Sequence, residues 1–127
     1  LSRNLELYGI GVDLVEWDRA SRMVRRHACS LQRILTPHEA ALFRRSRLKA
    51  KSFAVLFSAK EAASKAIGLT VSHPAVLSRF EVRRRGNALS VQIHPSLRRG
   101  KRLASRVKIT PFSLYNAVGA MAFAYKS

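Results

Sequence analysis

The chain has 127 residues, of which 24 are Lys or Arg and seven are Asp or Glu, so its formal net charge is +17. A hydrophobic fraction of 47% excludes a disordered chain in spite of this charge, and the length favours one domain spanning residues 1–127. The single cysteine excludes an intrachain disulfide, and no apolar run is long enough to cross a bilayer. We therefore expect a cytoplasmic protein with no membrane partner, whose positive charge indicates an acidic partner.

The first half of the chain is predicted to form one strand followed by helices. Leu5–Val12 has the composition of a strand, with two glycines at which another backbone can approach closely. Asp18–Leu35 has the periodicity of a basic amphipathic helix. Residues 36–39, with the sequence TPHE, predict a new helix that begins with a capping box and ends near Ser46.

The segment Lys49–Ile67 is predicted to be a buried helix. It contains no Gly or Pro, its apolar residues surround nearly the whole helix, and it stops at Gly68, a favourable C-terminal residue. Short strands then follow, and the resulting fold class is α+β, with an antiparallel sheet packed against the long buried helix. The predicted later elements are strands at Phe80–Arg84, Leu89–Ile93, Val107–Phe112 and Ala117–Tyr125, a turn at residues 85–87, and a basic connector at Pro95–Ser105, for which a helix is left open as an alternative.

Two carboxylates stand in otherwise apolar segments, which is costly unless each is paired or binds a metal. Asp13 follows the sequence GIGV, and Glu61 continues a row of aromatic residues at spacings of four. Asp13 has a simpler interpretation as a helix cap, with Glu16 completing a capping box and Asp18 as a competing cap. Glu61 also has a simpler interpretation, as the partner of Lys65 in an i,i+4 ion pair.

A shared site is the alternative interpretation of the two carboxylates. Two carboxylates and water leave room for the phosphate oxygens of a substrate, and this ligand set suits Mg²⁺ better than zinc. Lys60 and Lys65 would supply positive charge to the same phosphates.

Three segments together resemble the 4'-phosphopantetheinyl transferases, most closely the small holo-acyl-carrier-protein synthases. They are residues 9–16 (GIGVDLVE), residues 57–66 (FSAKEAASKA) and, between them, residues 32–39 (QRILTPHE). The resemblance implies transfer of the phosphopantetheine arm of coenzyme A to a serine of a carrier protein, with release of adenosine 3',5'-bisphosphate. It also implies the fold of that family and, by analogy, a homotrimer.

The resemblance assigns roles to individual residues. Asp13 and Glu61 match the Mg²⁺ ligands, and Glu61 and Lys65 are the implied catalytic residues. Lys65 would hold the pyrophosphate of coenzyme A, with Lys60 as a further cofactor contact. The base that takes the serine proton is left open between Glu16 and a metal-bound water.

The first predicted helix is implied to dock an acidic acyl or peptidyl carrier protein. Arg19 and Arg26 match docking positions of the family, and Arg22 lies on the same helical face. A solvated basic face would look the same in sequence. Two alternative functions remain: a basic nucleic-acid-binding module, which the absence of a known nucleic-acid motif disfavours, and an inactive homologue that acts as an interaction subunit.

The second half of the chain departs from the family pattern. Leu56 stands where the family usually has arginine, and Gly68 is not followed by the usual Thr-Gly. Residues 86–88 (GNA) replace a Gly-Lys-Pro turn, and residues 108–111 (KITP) replace a segment that ends in histidine. Because several of these positions contribute to coenzyme A binding in the family, the departures indicate altered nucleotide contacts.

Overall fold

The computed structural model describes residues 5–26, 28–69, 74–98, 100 and 102–126. These residues form an antiparallel five-stranded sheet and four α-helices, which confirms the expected α+β class. The elements in chain order are β1 (Glu6–Glu16), α1 (Trp17–Arg26), α2 (Ala28–Ile34), α3 (Pro37–Arg45), α4 (Lys49–Ala66), β2 (Phe80–Arg85), β3 (Ala88–Ile93), β4 (Arg106–Ser113) and β5 (Ala117–Lys126), with 3₁₀ turns at Pro74–Arg79 and Pro95–Leu97.

The sheet has the strand order β1-β5-β4-β3-β2, so β1 and β2 are its two edges. Helix α4 packs on one face and contacts all five strands, while α1 and α3 pack against α4. The core lies between α4 and the sheet and contains Phe53, Phe80, Val91 and Val107, all fully buried. None of the described helices is both long and apolar enough to span a membrane.

The structure differs from the sequence prediction at the first strand. Strand β1 continues to Glu16 because its pairing with β5 continues to that residue, so Asp13 lies inside a strand, opposite Ala120. The prediction of Asp13 as a helix cap is therefore wrong. Helix α1 begins at Trp17 and α2 ends at Ile34, so the bounds of the predicted helix Asp18–Leu35 are matched to within one residue. His27, between α1 and α2, is outside the described residues.

Helix α2 contributes to the core. Its residues Leu31 and Ile34 are buried there, together with Leu35 just after the helix.

The capping box predicted for α3 is confirmed. Thr36 Oγ1 accepts a hydrogen bond from the main-chain N–H of Glu39 at 3.2 Å, and Thr36 N–H donates to Glu39 Oε1 at 3.0 Å. Pro37 occupies the first turn, where its missing N–H costs nothing. Helix α3 ends at its C-cap Ser46, as expected.

The predicted end of α4 is also confirmed. Gly68 has φ of 76°, which glycine adopts without steric cost. Its N–H donates to the carbonyl of Lys65 at 3.0 Å, and the N–H of Leu69 donates to the carbonyl of Ser64 at 2.9 Å. These two bonds form a Schellman motif, which satisfies carbonyls that the helix end would otherwise leave free.

The four later strands and the turn between β2 and β3 match the prediction within a few residues. Gly86 and Asn87 connect the paired residues Arg85 and Ala88, and Gly86 has φ of 61°, as the first central residue of a type II′ turn requires. Among the described residues of the basic connector, those at Pro95–Leu97 are helical, and Leu103 then pairs with Lys126. Positions 99 and 101 of this connector are outside the described residues.

Strand β1 and helix α4 are in direct backbone contact. A Cβ atom built on Gly9 would lie 2.1 Å from the carbonyl oxygen of Ala66, and one built on Gly11 would lie 2.0 Å from the carbonyl oxygen of Ala62, so both would clash. Glycine is therefore required at both positions for this packing, and the close approach expected from the sequence is confirmed. The contact holds the middle of β1 against the C-terminal half of α4.

We predict that Gly11→Ala lowers the free energy of unfolding by about 3 kcal/mol or more, the upper range for overpacking, because the new methyl group meets main-chain atoms that cannot rotate away. Urea denaturation measures this loss. Gly68→Ala is the control: it has open space around the added methyl group and should cost only the roughly 1–2 kcal/mol of a left-handed alanine. A loss in Gly11→Ala no larger than in the control would contradict the close contact.

Candidate functional site

Asp13 is the first component of the candidate site. Its side chain is only 15% exposed, and its Oδ1 lies 3.0 Å from the amine of Lys65, which is 51% exposed. The same amine donates to the carbonyl of Val12 at 3.1 Å. The motif residue Lys65 therefore reaches back from α4 to the end of the glycine segment, joining the two regions that the sequence singled out.

Glu61 is the second component, half-buried on α4 and electrostatically coupled to Asp13. Burial raises the pKa of Glu61, and the neighbouring Asp13 carboxylate raises it further. Lys65 and Arg19 act in the opposite direction without cancelling the rise in pKa. The structure thus places two carboxylates close enough to repel each other, an arrangement typical of sites that bind a cation or move a proton.

Lys65 forms its ion pair with Asp13 and not with Glu61, so the predicted i,i+4 pair on the helix is not the contact that forms among the described residues.

The aromatic row before Glu61 is present: the rings of Phe53 and Phe57 stack with centroids 5.4 Å apart. The guanidinium of Arg19 lies 5.9 Å from the centroid of Phe57, which places α1 beside Glu61.

The prediction that Lys60 contacts coenzyme A is wrong. Its side chain is fully buried and forms an ion pair with Glu39, which is equally buried. Its amine also donates to the carbonyl of Ile34 at 2.7 Å. One residue along a helix is a rotation of about 100°, so Lys60 points into the protein while Glu61 faces Asp13. Its charge is therefore used inside the fold.

The donor set at Asp13 and Glu61 fits Mg²⁺. In the described part of the chain, no cluster of three or more His, Cys, Asp or Glu side chains could enclose a metal. The site instead offers two carboxylates, and Mg²⁺ characteristically binds one or two carboxylates while keeping waters and substrate phosphates. A bound cation would relieve the repulsion between the two carboxylates, and this favours binding at the site.

The three arginines predicted to form a docking surface all lie on α1 and are exposed. Arg19 adjoins the carboxylate site, since its charge acts on Glu61, and Arg22 and Arg26 follow on the same helical face.

Glu16 is exposed at the end of β1. Because strand residues alternate, it points to the face opposite Asp13, whose side is shared by the buried Val15.

The positions that depart from the family pattern lie in three parts of the fold. Leu56 is buried on α4, where it is part of the core. Residues 86–88 lie at the β2–β3 turn. Pro111 lies on β4 beyond Ile109, where pairing with β3 has ended, so its missing N–H interrupts no bond to β3. Thr70 and Val71, which follow Gly68 and Leu69, are outside the described residues.

We predict that Glu61→Gln raises the melting temperature at pH 7 in the absence of divalent metal. Because its folded-state pKa is raised, ionisation of Glu61 costs stability: its contribution is complete below the unfolded pKa of about 4.3 and is lost as pH rises through the folded pKa. The difference from wild type should therefore vanish below about pH 4.

Thermal denaturation at both pH values, with EDTA, tests this prediction. Asp18→Asn is the control for the loss of one negative charge from a protein of charge +17, since Asp18 is exposed on α1. A Glu61→Gln protein that is no more stable than Asp18→Asn at pH 7 would contradict the unfavourable placement of Glu61.

Comparison with known proteins supports the resemblance seen in the sequence. The family model of the 4'-phosphopantetheinyl transferase superfamily matches residues 9–111. The chain is 43% identical over 77 residues to the holo-[acyl-carrier-protein] synthase of Dechloromonas aromatica, an alignment that covers 60% of this chain and 62% of that relative.

Solved structures show the same fold. The holo-[acyl-carrier-protein] synthase of Neisseria meningitidis superposes with a TM-score of 0.81 at 25% identity, covering 94% of this chain and 98% of that one. The Helicobacter pylori synthase, solved in complex with coenzyme A, superposes with a TM-score of 0.74 at 24% identity, covering 91% and 98%. The match over residues 9–111 includes both carboxylates of the site, and the chain belongs to the 4'-phosphopantetheinyl transferase superfamily.

Proposed function

We propose that this protein transfers the 4'-phosphopantetheine arm of coenzyme A to a serine of an acyl or peptidyl carrier protein. The observation that carries the proposal is the coupled pair Asp13 and Glu61, held together by the β1–α4 contact inside the region that matches the superfamily. The alignment with the first curated relatives covers 62% of their length, so the activity rests on this site as well as on similarity.

The proposed reaction exchanges a phosphoanhydride bond of coenzyme A for a phosphodiester bond to serine. The serine oxygen of the carrier bonds to the phosphorus that bears pantetheine, the bond from that phosphorus to the bridging oxygen breaks, and adenosine 3',5'-bisphosphate leaves while the serine proton passes to a base. Mg²⁺, when bound, supplies positive charge that polarises the reacting phosphate and neutralises the leaving group.

The residues of this chain have separate tasks in that scheme. Asp13 and Glu61 hold the cation and so fix where the pyrophosphate binds. Lys65, half exposed and paired with Asp13, can turn its amine to a phosphate oxygen at little cost, because an exposed ion pair contributes only about 0–1 kcal/mol. Glu16 points away from Asp13, which favours water over Glu16 as the base that takes the serine proton.

We also propose that α1 docks the acidic carrier protein. Arg19, Arg22 and Arg26 form an exposed cationic face that begins beside Glu61, so a partner bound there would have its serine near the carboxylates. Complementary charge at such a surface accelerates association and selects the partner. The cytoplasmic location expected from the sequence remains a prediction.

The homotrimer expected from family resemblance is supported by an exposed apolar surface. Strand β1 is an edge strand, and Leu7, Ile10, Val12 and Leu14 are each about half exposed, with Met121 of β5 opposite Val12. A contiguous apolar surface at a sheet edge is characteristic of an interface. We propose that it is covered by further copies of this chain.

The transfer activity is tested with Asp13→Ala and Glu61→Ala. Each should lose at least about a hundredfold in rate, a typical loss when a group that stabilises transition-state charge is removed, and each should remain folded. Intact-mass measurement of apo carrier proteins incubated with coenzyme A and Mg²⁺ follows the reaction. Asp18→Ala, which removes an exposed carboxylate of α1, should keep wild-type activity.

Two results would overturn the assignment. Wild-type rates in Asp13→Ala at saturating Mg²⁺ would show that Asp13 is not a ligand. A wild-type protein with no transfer to any carrier, but with Mg²⁺-independent binding to nucleic acid that weakens with salt, would favour the alternative of a nucleic-acid-binding module.

The docking surface is tested by charge reversal on α1. Arg22→Glu and Arg26→Glu should each raise the Kd for an acidic carrier by about tenfold or more and leave coenzyme A binding unchanged, because reversal replaces attraction by repulsion. Rising salt should weaken the wild-type complex, since exposed charges are screened. Arg45→Glu is the control, since Arg45 is also exposed and lies at the end of α3. A Kd for the carrier that is unaffected by both charge reversal on α1 and rising salt would show that the carrier docks on another surface.

The assembly is tested with Ile10→Glu, which puts a charge into the exposed face of β1. Sedimentation should give a trimer for the wild type and smaller species for the variant, because burying an unpaired charge opposes association. Leu48→Glu changes an exposed apolar residue outside the sheet and should leave the trimer intact. A monomeric wild type would refute the proposal.

A further inference from the structure

The buried ion pair Glu39–Lys60 lies outside the candidate site, and the proposed reaction does not use it. Both side chains have no exposed surface. Lys60 immediately precedes Glu61, and Glu39 belongs to the capping box of α3. A charged pair with no access to solvent cannot contact substrate, so any effect on the reaction must act through the positions of other groups.

The pair is bonded to the main chain of three elements. Glu39 Oε1 accepts from the amine of Lys60 and from Thr36 N–H at 3.0 Å, and Oε2 accepts from Val82 N–H of β2 at 2.6 Å. The Lys60 amine also donates to the carbonyl of Ile34, the last residue of α2. The pair therefore joins α4 to the end of α2, the start of α3 and the edge strand β2.

These bonds fix α4 from the side opposite β1. The carbonyls of Ala62 and Ala66 contact β1 at Gly11 and Gly9, while Lys60 is held by Glu39 from another direction. A helix with two such contacts can neither rotate nor slide without breaking one of them. Because Glu61 lies between Lys60 and Ala62, its direction relative to Asp13 is set by both.

Stability alone is a weak explanation for this pair. Desolvation of two buried charges offsets much of their attraction, and apolar replacements of buried pairs are often equally stable. Hydrogen bonds have directions, however, and apolar contacts do not. The pair offers a fixed geometry for α4 that a Leu or Met pair would not supply.

We propose that Glu39 and Lys60 are positioning residues that set the rotation of α4 and thereby the separation of Asp13 and Glu61 at which Mg²⁺ is held. The proposal rests on the proposed function. It extends to the docking surface, because the carbonyl held by Lys60 ends α2, the helix that follows α1.

The test compares the wild type with the double variant Glu39→Gln/Lys60→Met, which removes both charges and keeps similar volumes. We expect a melting temperature within a few degrees of wild type, with a tenfold or greater increase in the Mg²⁺ concentration that gives half of the Mg²⁺-induced rise in melting temperature. The kcat should fall, and the KM for coenzyme A should change less. Val107→Ala, a core truncation on β4, should lose stability and keep the wild-type Mg²⁺ dependence.

Two further variants keep the proposal falsifiable. Lys60→Arg retains charge and donors in a broader group, and it provides the same Mg²⁺ measurement if the double variant does not fold. The exchange Glu39→Lys/Lys60→Glu preserves opposite charges but should not restore Mg²⁺ dependence, because Val82 N–H then faces a donor and the carbonyl of Ile34 faces an acceptor. Restoration by the exchange would overturn the directional argument.

The outcomes separate this proposal from the proposed function. If the wild type responds to Mg²⁺ and transfers phosphopantetheine, unchanged Mg²⁺ dependence and kcat in a folded double variant, or in Lys60→Arg where the double variant fails to fold, overturn the positioning role. If the wild type shows neither Mg²⁺ stabilisation nor transfer, the proposed function fails and this proposal fails with it.

Discussion

The contact between β1 and α4 is the constraint on which the site depends. An ordinary helix packs on a sheet through side chains of both elements, but here helix carbonyl oxygens occupy the space that a side chain at Gly9 or Gly11 would need. The helix contributes small residues at Ala59, Ala62, Ala63 and Ala66, all buried. Without this close approach the side chain of Lys65 would not reach both Val12 and Asp13.

The same contact brings two carboxylates together, and the nearby cations offset their repulsion only in part. Seven acidic residues are available among 127, yet two of them are brought together at one half-buried position. Lys65 and Arg19 lie near, and the pKa of Glu61 is still raised by burial and by Asp13. A structure selected only for stability would separate such charges, so the arrangement is the kind of local conflict that marks a functional site.

The sequence predicted best those features that depend on neighbouring residues. The capping box at Thr36 and Glu39, the glycine stop at Gly68 and the long helix between them are local patterns, and all are confirmed. The continuation of β1 through Asp13 depends on pairing with β5, more than a hundred residues later, which no local pattern reveals.

The burial of Lys60 was not predicted, because it also depends on residues that are distant in the sequence. Its partner lies 21 residues earlier in the chain, and a lysine beside a motif glutamate looks equally suited to phosphate binding. One signal was available: the capping glutamate Glu39 has a second carboxylate oxygen that its own helix does not use. In the fold that oxygen meets Val82 N–H on β2, and the buried charge then requires a cation.

The segment from Lys60 to Lys65 therefore holds two cations whose environments give them opposite roles. The Lys60 pair is fully buried, and removing one partner would leave an uncompensated charge, a loss of about 3–5 kcal/mol. The Lys65 pair is half exposed, so water can replace either partner and the amine is free to exchange Asp13 for another anion. The proposed chemistry beside a metal requires a helix that is held in place and a cation that can move, and the six residues from Lys60 to Lys65 provide both.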